Sequence, residues 1–231
     1  MSCHKSLFCL WLSIAVSLVR ADAPPSLREL LAILKDKQYN PYRADAWKKD
    51  PGDPAMVKVG VFIESISEIS ASKMAFEVDM YLSQMWNDSR LIHNATRYLT
   101  ISDRALIKQI WTPDLYFSNS KKTVSHSLTK PNNLMRIYPH GLVFYSIRVS
   151  GNFYCPQDLQ LYPKDSQVCK VRMMSYSYLK SELEFHWMKE HPVRYNPDIY
   201  LPEMSLKEIS HHTCLANFTE HNEFEQATSS V

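Results

Sequence analysis

The stretch of sequence that decides the fold spans residues 57–82 and reads VKVGVFIESISEISASKMAFEVDMYL. Apolar side chains occupy every second position in each of its two halves. They are Val57, Val59, Val61 and Ile63 in the first half, and Met74, Phe76, Val78, Met80 and Leu82 in the second. Because successive side chains of a strand point to opposite faces of a sheet, this alternation predicts two half-buried β-strands.

More strand patterns follow downstream. The turn signal Pro139-His140-Gly141 separates two apolar segments, as in a β-hairpin. The further strand candidates are residues 134–138, 142–149, 168–175 and 183–187. One helix followed by many strands predicts an all-β fold, an antiparallel immunoglobulin-like β-sandwich with a short N-terminal α-helix.

The predicted helix precedes the strands. Residues 26–29 read SLRE, which has the form of an N-terminal capping box, and leucines continue at helical spacing to Leu34. This pattern predicts an amphipathic helix over residues 26–37, followed by a polar loop. We therefore expect residues 24–56 to hold the helix and the loop, and the strand domain to begin at residue 57.

Composition excludes several functional classes. The chain has 231 residues and a formal net charge of +2, from 26 Lys and Arg against 24 Asp and Glu. This balance, without any long run of basic residues, is not that of a nucleic-acid-binding protein. The four glycines form neither G-x-G-x-x-G nor a P-loop, and no histidine has the spacing of a zinc site. We therefore expect no enzyme activity, no catalytic residue, no cofactor, no metal and no nucleic-acid partner.

The N-terminus indicates export from the cell. Lys5 precedes an apolar run over residues 7–19, and the small residues Ala21 and Ala23 offer a cleavage site. Because that run is too short to cross a bilayer, residues 1–23 are predicted to be a secretory signal peptide rather than a membrane anchor. No apolar stretch of about 18 residues follows it, so we expect no transmembrane segment in this chain.

Glycosylation sequons and cysteines also fit an extracellular location. The predicted glycosylation sites are Asn87, Asn94 and Asn217. Removal of the signal peptide leaves Cys155, Cys169 and Cys214, and disulfides are permitted outside the cell. Three cysteines leave one thiol without an intrachain partner.

One segment is far more specific than the rest: residues 155–169 read CPQDLQLYPKDSQVC. Its cysteines, acidic residues and Tyr-Pro pair at this spacing resemble the signature of the Cys-loop, or pentameric, ligand-gated ion channels. The resemblance implies a disulfide between Cys155 and Cys169, which would stabilise the fold by roughly 3 kcal/mol in the chain-entropy model. Tyr162 before Pro163 also makes a cis peptide bond plausible.

Further segments carry the same resemblance. They read WNDSRL at residues 86–91, WTPDLYF at 111–117, YSIRV at 145–149 and SYSY at 175–178. The segment over residues 201–214 is similar to the strand that leads to binding loop C. The YSIR strand is similar to that of the anion-channel branch, which comprises glycine, GABA and invertebrate glutamate- or amine-gated chloride channels. Residues 57–214 thus resemble the neurotransmitter-gated channel ligand-binding domain of that branch.

In that family, five extracellular domains form a ring, and the agonist binds in an aromatic box between neighbours. The implied ligand-binding residues are Tyr116, Tyr176 and Tyr178 on the principal face, and Tyr81, Ser83, Ser146 and Arg148 on the complementary face. Tyrosine rings attract an ammonium group, and Arg148 could pair with an agonist carboxylate. The expected partners are a small-molecule neurotransmitter and related subunits in a homo- or hetero-pentamer.

Three positions depart from the family pattern. Ser83 stands where amino-acid-gated relatives usually carry an arginine, and Glu64 stands where glutamate-gated chloride channels have a second arginine. Met174 stands where some GABA-type subunits have an acidic residue. These departures argue against a glutamate or glycine site made from this subunit alone. An amine agonist, a heteromeric site and an orphan subunit are the open alternatives.

The end of the sequence departs most from the family. Glu225 stands near the position expected for a second cysteine, and residues 215–231 are predicted to be a divergent, truncated tail without strand pattern. The strands of loop C and the pore domain would then be missing. Their loss would leave an open sheet edge, which predicts poor secretion of this chain alone.

Two functions follow from the resemblance. The favoured one is the extracellular neurotransmitter-binding domain of a ligand-gated chloride-channel subunit, which gates a pore absent from this chain. The alternative is a secreted soluble ligand-binding or dominant-negative modulatory form, while an unrelated adhesive sandwich fits the motif spacing poorly. The expected location is the extracellular face of the plasma membrane in a full-length receptor, with membrane contact only through the missing pore domain. If the truncated chain is the complete product, it would instead be secreted.

Overall fold

The computed structural model describes residues 25–35, 39–42, 53–202, 204–218 and 222–230, with only the backbone from residue 214 onward. The predicted signal peptide lies outside these described residues. The helices are α1 (Pro25–Lys35) and α2 (Arg104–Ile107), and a 3-10 turn spans Ser89–Leu91. The strands are β1 (Ala55–Ser70), β2 (Ala75–Asn87), β3 (Leu99–Ile101), β4 (Leu115–Phe117), β5 (Ser120–Ser125), β6 (Asn133–Ile137), β7 (Leu142–Tyr154), β8 (Lys170–Ser175), β9 (Leu183–Trp187), β10 (Val193–Tyr195), β11 (Ser210–Phe218) and β12 (Asn222–Ser230).

The larger sheet has the strand order β10-β1-β2-β7-β6-β3, with β9 also paired to β1 and β5 also paired to β7. The long strands β1, β2 and β7 pair antiparallel, and Leu82 of β2 lies opposite Val61 on one side and Ile147 on the other. The predicted alternation is confirmed, since Val57 and Val59 are fully buried. The intervening side chains of these strands therefore face away from the core.

The smaller sheet has the order β11-β12-β8-β4. Side chains from both sheets share one buried cluster, which includes Phe153 of β7 and Met173 of β8. Cys155 and Cys169 form a disulfide with an Sγ–Sγ distance of 1.99 Å, which confirms the expected pairing. Because Cys155 follows β7 and Cys169 precedes β8, this bond ties the two sheets together. The Tyr162–Pro163 peptide bond is cis.

The all-β sandwich with a short N-terminal helix is confirmed, with two additions. β9 and β10 pair parallel to β1, so the sandwich is dominated by antiparallel pairs without being purely antiparallel. The four-residue helix α2 begins where the Asp103 carboxylate accepts the Ala105 N–H at 2.7 Å, and it is too short to show a helical period in sequence. No described helix is long and apolar enough to cross a membrane.

The largest difference from expectation lies at the C-terminal end. β11 and β12 form an antiparallel hairpin, and β12 pairs with β8 so that Ala227 lies opposite Met173. The expectation that the strands of this region are lost is therefore wrong, and β11 rather than β8 is the edge strand on this side of the smaller sheet. Backbone hydrogen bonds hold such a mostly polar hairpin, so it needs none of the apolar alternation that marks a half-buried strand.

Candidate functional site

Two of the predicted principal-face tyrosines meet at the end of the smaller sheet. Tyr116 lies in β4 opposite Met174 of β8, and Tyr176 directly follows β8. Their rings pack edge to face, with centroids 5.4 Å apart and an interplanar angle of 81°. Tyr176 is 76% exposed, while burial and then the neighbouring Tyr176 raise the pKa of Tyr116. The Tyr116 hydroxyl is therefore neutral near pH 7, and the pair presents an aromatic surface to solvent.

Asp114, which sequence reasoning did not single out, holds this surface in place. Its Oδ1 accepts the Ser175 hydroxyl at 2.7 Å. Its Oδ2 accepts the Tyr176 N–H at 3.1 Å and both the N–H and the hydroxyl of Ser177 at 2.6 Å. Four hydrogen bonds thus fix the turn that carries Tyr176. The available signal was an acidic residue inside the WTPDLYF segment.

Tyr178, the third predicted principal-face residue, is anchored to the core. The buried Trp111 donates its indole N–H to the Tyr178 hydroxyl at 3.3 Å, and the two ring centroids lie 6.4 Å apart. Its half-buried ring packs against the hydrophobic cluster. Tyr178 therefore fixes the far end of the turn that begins at Ser175.

The strand register brings the four predicted complementary-face residues together on the outer face of the larger sheet. Tyr81 of β2 lies opposite Arg148 of β7, and Ser83 lies opposite Ser146. The two serine hydroxyls are 3.3 Å apart, within hydrogen-bond distance. All four side chains are half-buried. This face therefore offers an aromatic ring, two hydroxyls and a guanidinium side by side.

Arg148 is already paired within the chain. Its Nε lies 3.2 Å from Oδ1 and 3.1 Å from Oδ2 of Asp79, and its Nη2 also donates to Oδ2. Burial alone would raise the pKa of Asp79, but the hydrogen bond and charge of Arg148 outweigh it and hold that pKa below its ordinary value. His126 Nε2 lies 3.6 Å from Asp79 Oδ1 and 2.6 Å from the Ser150 hydroxyl. Sequence reasoning missed Asp79 because a strand pattern does not show which side chains lie opposite.

Two neighbouring aromatic rings lie between two cations in a row that crosses four strands of this face. The Arg148 guanidinium lies 5.5 Å from the Tyr81 ring centroid, and Tyr81 lies 6.2 Å from Phe62. Arg194 of β10 lies 5.8 Å from the Phe62 centroid on the other side. Glu64 stands at a bulge of β1, where its carboxylate lies 3.4 Å from the Asn196 amide nitrogen.

With these two surfaces described, comparison with known proteins decides the family. A family model of the neurotransmitter-gated ion-channel ligand binding domain matches residues 28–230. The chain belongs to this family. The family consists of ion channels rather than enzymes, which confirms that prediction. The matched range includes most of α1 and the β11–β12 hairpin as well as the strands between them.

Two curated relatives of this ligand-binding domain come from the anion-channel branch, as the sequence resemblance indicated. Glycine receptor subunit beta-type 4 of Caenorhabditis elegans is 41% identical over 157 residues, which are 68% of this chain and 33% of that protein. The glutamate-gated chloride channel of Drosophila melanogaster is 38% identical over 160 residues, which are 68% of this chain and 34% of that protein. The chain thus spans about a third of the length of these relatives.

In this ligand-binding domain, the WNDSRL segment is linked through Tyr39 to the chain that precedes β4. Asp88 is fully buried, and Arg90 grips it with Nε at 2.9 Å from Oδ1 and Nη2 at 2.8 Å from Oδ2. Arg90 also lies 4.5 Å from the Tyr39 ring centroid, and the Tyr39 hydroxyl accepts the Trp111 N–H at 3.1 Å. Burial and then the Asp88 charge raise the pKa of Tyr39 to about 12. This network anchors the segment that leads into β4.

The remaining predicted positions of the ligand-binding domain fall outside both surfaces. Asn87 and Asn94 are exposed, and the side chain of Asn217 lies outside the described residues. Met174 is buried, so the position that is acidic in some relatives is a core position here. The described part of the chain contains no group of three His, Cys, Asp or Glu residues that could hold a metal ion.

Proposed function

We propose that this domain binds a small neurotransmitter at the interface between two neighbouring subunits of a pentameric chloride channel. The observation that carries the proposal is the edge-to-face pair of the half-buried Tyr116 and the exposed Tyr176, held in place by Asp114. Exposed rings with fixed orientation attract a cationic ammonium group through their negative faces, at about 0.5–2 kcal/mol per contact. The chain would supply the extracellular part of the subunit, and binding would gate a pore formed outside this sequence.

An interface site also explains the placement of the two surfaces. The tyrosine pair lies at β4 and β8 of the smaller sheet, whereas Tyr81 and Arg148 lie on the outer face of the larger sheet. Head-to-tail contacts in a closed ring place two different surfaces of identical subunits against each other. A ring of these domains would therefore bring the tyrosine pair of one subunit against the β2–β7 face of the next.

The proposal places the domain outside the cell. The predicted signal peptide over residues 1–23 would direct export, and the Cys155–Cys169 disulfide is suited to an oxidising compartment. Asn87 and Asn94 are exposed and would carry N-linked glycans there. The name of the Drosophila melanogaster relative, a glutamate-gated chloride channel, supports chloride as the permeant ion of the complete channel.

Ligand binding by the secreted chain tests the proposal. The chain would be purified from an insect-cell medium, its assembly mass measured by light scattering, and tyramine, tryptamine, choline, GABA, glycine and glutamate titrated calorimetrically. We expect at least one probe to bind and Tyr176→Ala to weaken it about tenfold, within the range of a lost cation–π contact. Tyr200→Ala is the matched control, because Tyr200 is similarly exposed at 79% and lies outside the two surfaces. Assembled rings that bind none of the probes, or whose binding ignores Tyr176→Ala, would contradict the proposal.

A further inference from the structure

We infer that Asp79 determines agonist class: by occupying Arg148, it reserves the site for amines that lack a carboxylate. This inference rests on the proposed function and deepens it, because the sequence alone left an amine agonist, a heteromeric site and an orphan subunit open. Arg148 is the complementary-face cation expected to receive an agonist carboxylate. Asp79 takes that role inside the chain.

The geometry of the pair opposes the displacement of Asp79 from Arg148 by an agonist carboxylate. The Arg148 guanidinium contacts both Asp79 oxygens, with Nε at 3.2 and 3.1 Å and Nη2 donating to Oδ2. Such forked, charge-assisted contacts are among the stronger hydrogen bonds in proteins. The Asp79 side chain is only 16% exposed, so an agonist carboxylate that displaced it would leave a shielded anion without its main partner.

Neighbouring groups hold the pair from both sides. The Tyr81 ring lies against the guanidinium at 5.5 Å from its centroid, and His126 Nε2 lies 3.6 Å from the other carboxylate oxygen. Glu64 is a second anion that acts on Arg148. An incoming carboxylate would therefore meet two resident carboxylates near the one guanidinium that it needs.

The other groups at the site suit an amine. The position next to Arg148 on this face is Ser83, whose hydroxyl pairs with Ser146 and carries no charge. Arg194, the other cation of this row, lies over Phe62 at the opposite end. Facing subunits would contribute the Tyr116–Tyr176 pair, whose rings favour an ammonium group. An amine with a flat apolar body therefore has partners on both faces. A carboxylate on the same ligand would find its expected partner, Arg148, already paired with Asp79.

Matched pairs of probes test this inference on the purified full chain. Tyramine and tyrosine, and likewise tryptamine and tryptophan, differ only by a carboxylate. We expect wild-type chain to bind each amine at least tenfold more tightly than its amino acid. Asp79→Asn, which releases Arg148, should reduce that preference at least tenfold, mainly by tightening amino-acid binding. Adding Arg148→Gln to Asp79→Asn should remove the gained amino-acid binding.

Glu77→Gln is the matched control. Glu77 lies two residues from Asp79 on the same face of β2, and its substitution changes the charge equally. We expect it to leave the amine preference unchanged. An equal shift in Glu77→Gln and Asp79→Asn, or no shift in either, would overturn the inference. The wild-type preference is measured without any substitution, so the inference stays testable if Asp79→Asn does not fold.

The outcomes separate this inference from the proposed function. If amino acids bind wild-type chain as tightly as amines and Tyr176→Ala abolishes that binding, the site stands and the inference about Asp79 is overturned. If no probe of either class binds, or if binding ignores Tyr176→Ala, the proposed site itself is wrong and the inference falls with it.

Discussion

Two regions of the molecule, the turn after β8 and the outer face of the β2–β7 pair, each depend on one carboxylate that strand patterns do not reveal. These two carboxylates have different kinds of partner. Asp114 accepts hydrogen bonds from the main chain and hydroxyls of residues 175–177. Asp79 instead faces two side chains, the guanidinium of Arg148 and the imidazole of His126.

The difference follows from the local backbone. In the turn, the N–H groups of Tyr176 and Ser177 lie beyond the last paired residue of β8, so the Asp114 carboxylate replaces the missing strand as acceptor. In the sheet, the ladder already pairs the main chain of β2 with that of β7, and the Asp79 carboxylate is left to act on side chains. The first aspartate therefore sets the position of Tyr176, while the second sets the charge of the β2–β7 face.

The largest effect is expected at Asp114. Asp114→Ala removes the acceptor of four hydrogen bonds and leaves two N–H groups of the turn to find water, so we expect a loss of about 3 kcal/mol in the free energy of unfolding. Ligand binding should be lost as well, because Tyr176 is no longer held. Urea unfolding measures the first effect and calorimetric titration the second.

The exposed Asp198 provides the control for that substitution. Asp198→Ala is expected to change the free energy of unfolding by less than about 0.5 kcal/mol. Equal stability of the two variants would show that Asp114 does not position the turn, and the contrast between the two regions would fail.

A smaller effect is expected at Asp79, and it depends on pH. Because Arg148 holds the pKa of Asp79 below its ordinary value, the charged carboxylate stabilises the fold above about pH 4, and this contribution is lost as the pH falls through the lowered pKa. Arg148 is partly exposed, so solvent screening limits the contribution to about 1 kcal/mol. Near neutral pH, the free energy of unfolding of the wild-type chain should therefore exceed that of Asp79→Asn by this amount.

Urea unfolding of both chains across the acid range measures this dependence, with Glu77→Gln as control. The stability difference between wild type and Asp79→Asn should close as the pH falls below about 4. A difference that persists unchanged in acid would mean that the ion pair is not its source, and that Asp79 resembles Asp114 in supporting the backbone.

The sequence predicts what depends on local pattern. Alternating apolar residues place β1 and β2 correctly. The resemblance of residues 155–169 to the family signature implies the Cys155–Cys169 disulfide that ties the sheets. Asp114 and Asp79 are beyond such reasoning, because their partners lie 61 to 63 and 69 residues away and meet them only through the fold and strand register.

Main-chain pairing without an apolar pattern explains why the sequence did not predict the C-terminal strands. β12 pairs with β8 through main-chain groups, and its sequence lacks the apolar alternation that marked β1. Tyr178 shows the converse limit. Its place in the SYSY segment does not reveal that its hydroxyl accepts the indole N–H of the buried Trp111.

The central claim, that one site is built from two subunits, is tested most directly by mixing complementary variants. Tyr176→Ala damages the principal face and Tyr81→Ala the complementary face, so assemblies of either variant alone should bind the best amine probe weakly. Co-expressed in equal amounts, the two variants should regain tight binding at roughly a quarter of the interfaces, where both intact faces meet in the ring. Recovery of that fraction in calorimetric titration supports an interface site. Mixed assemblies that bind no better than either variant alone would contradict it.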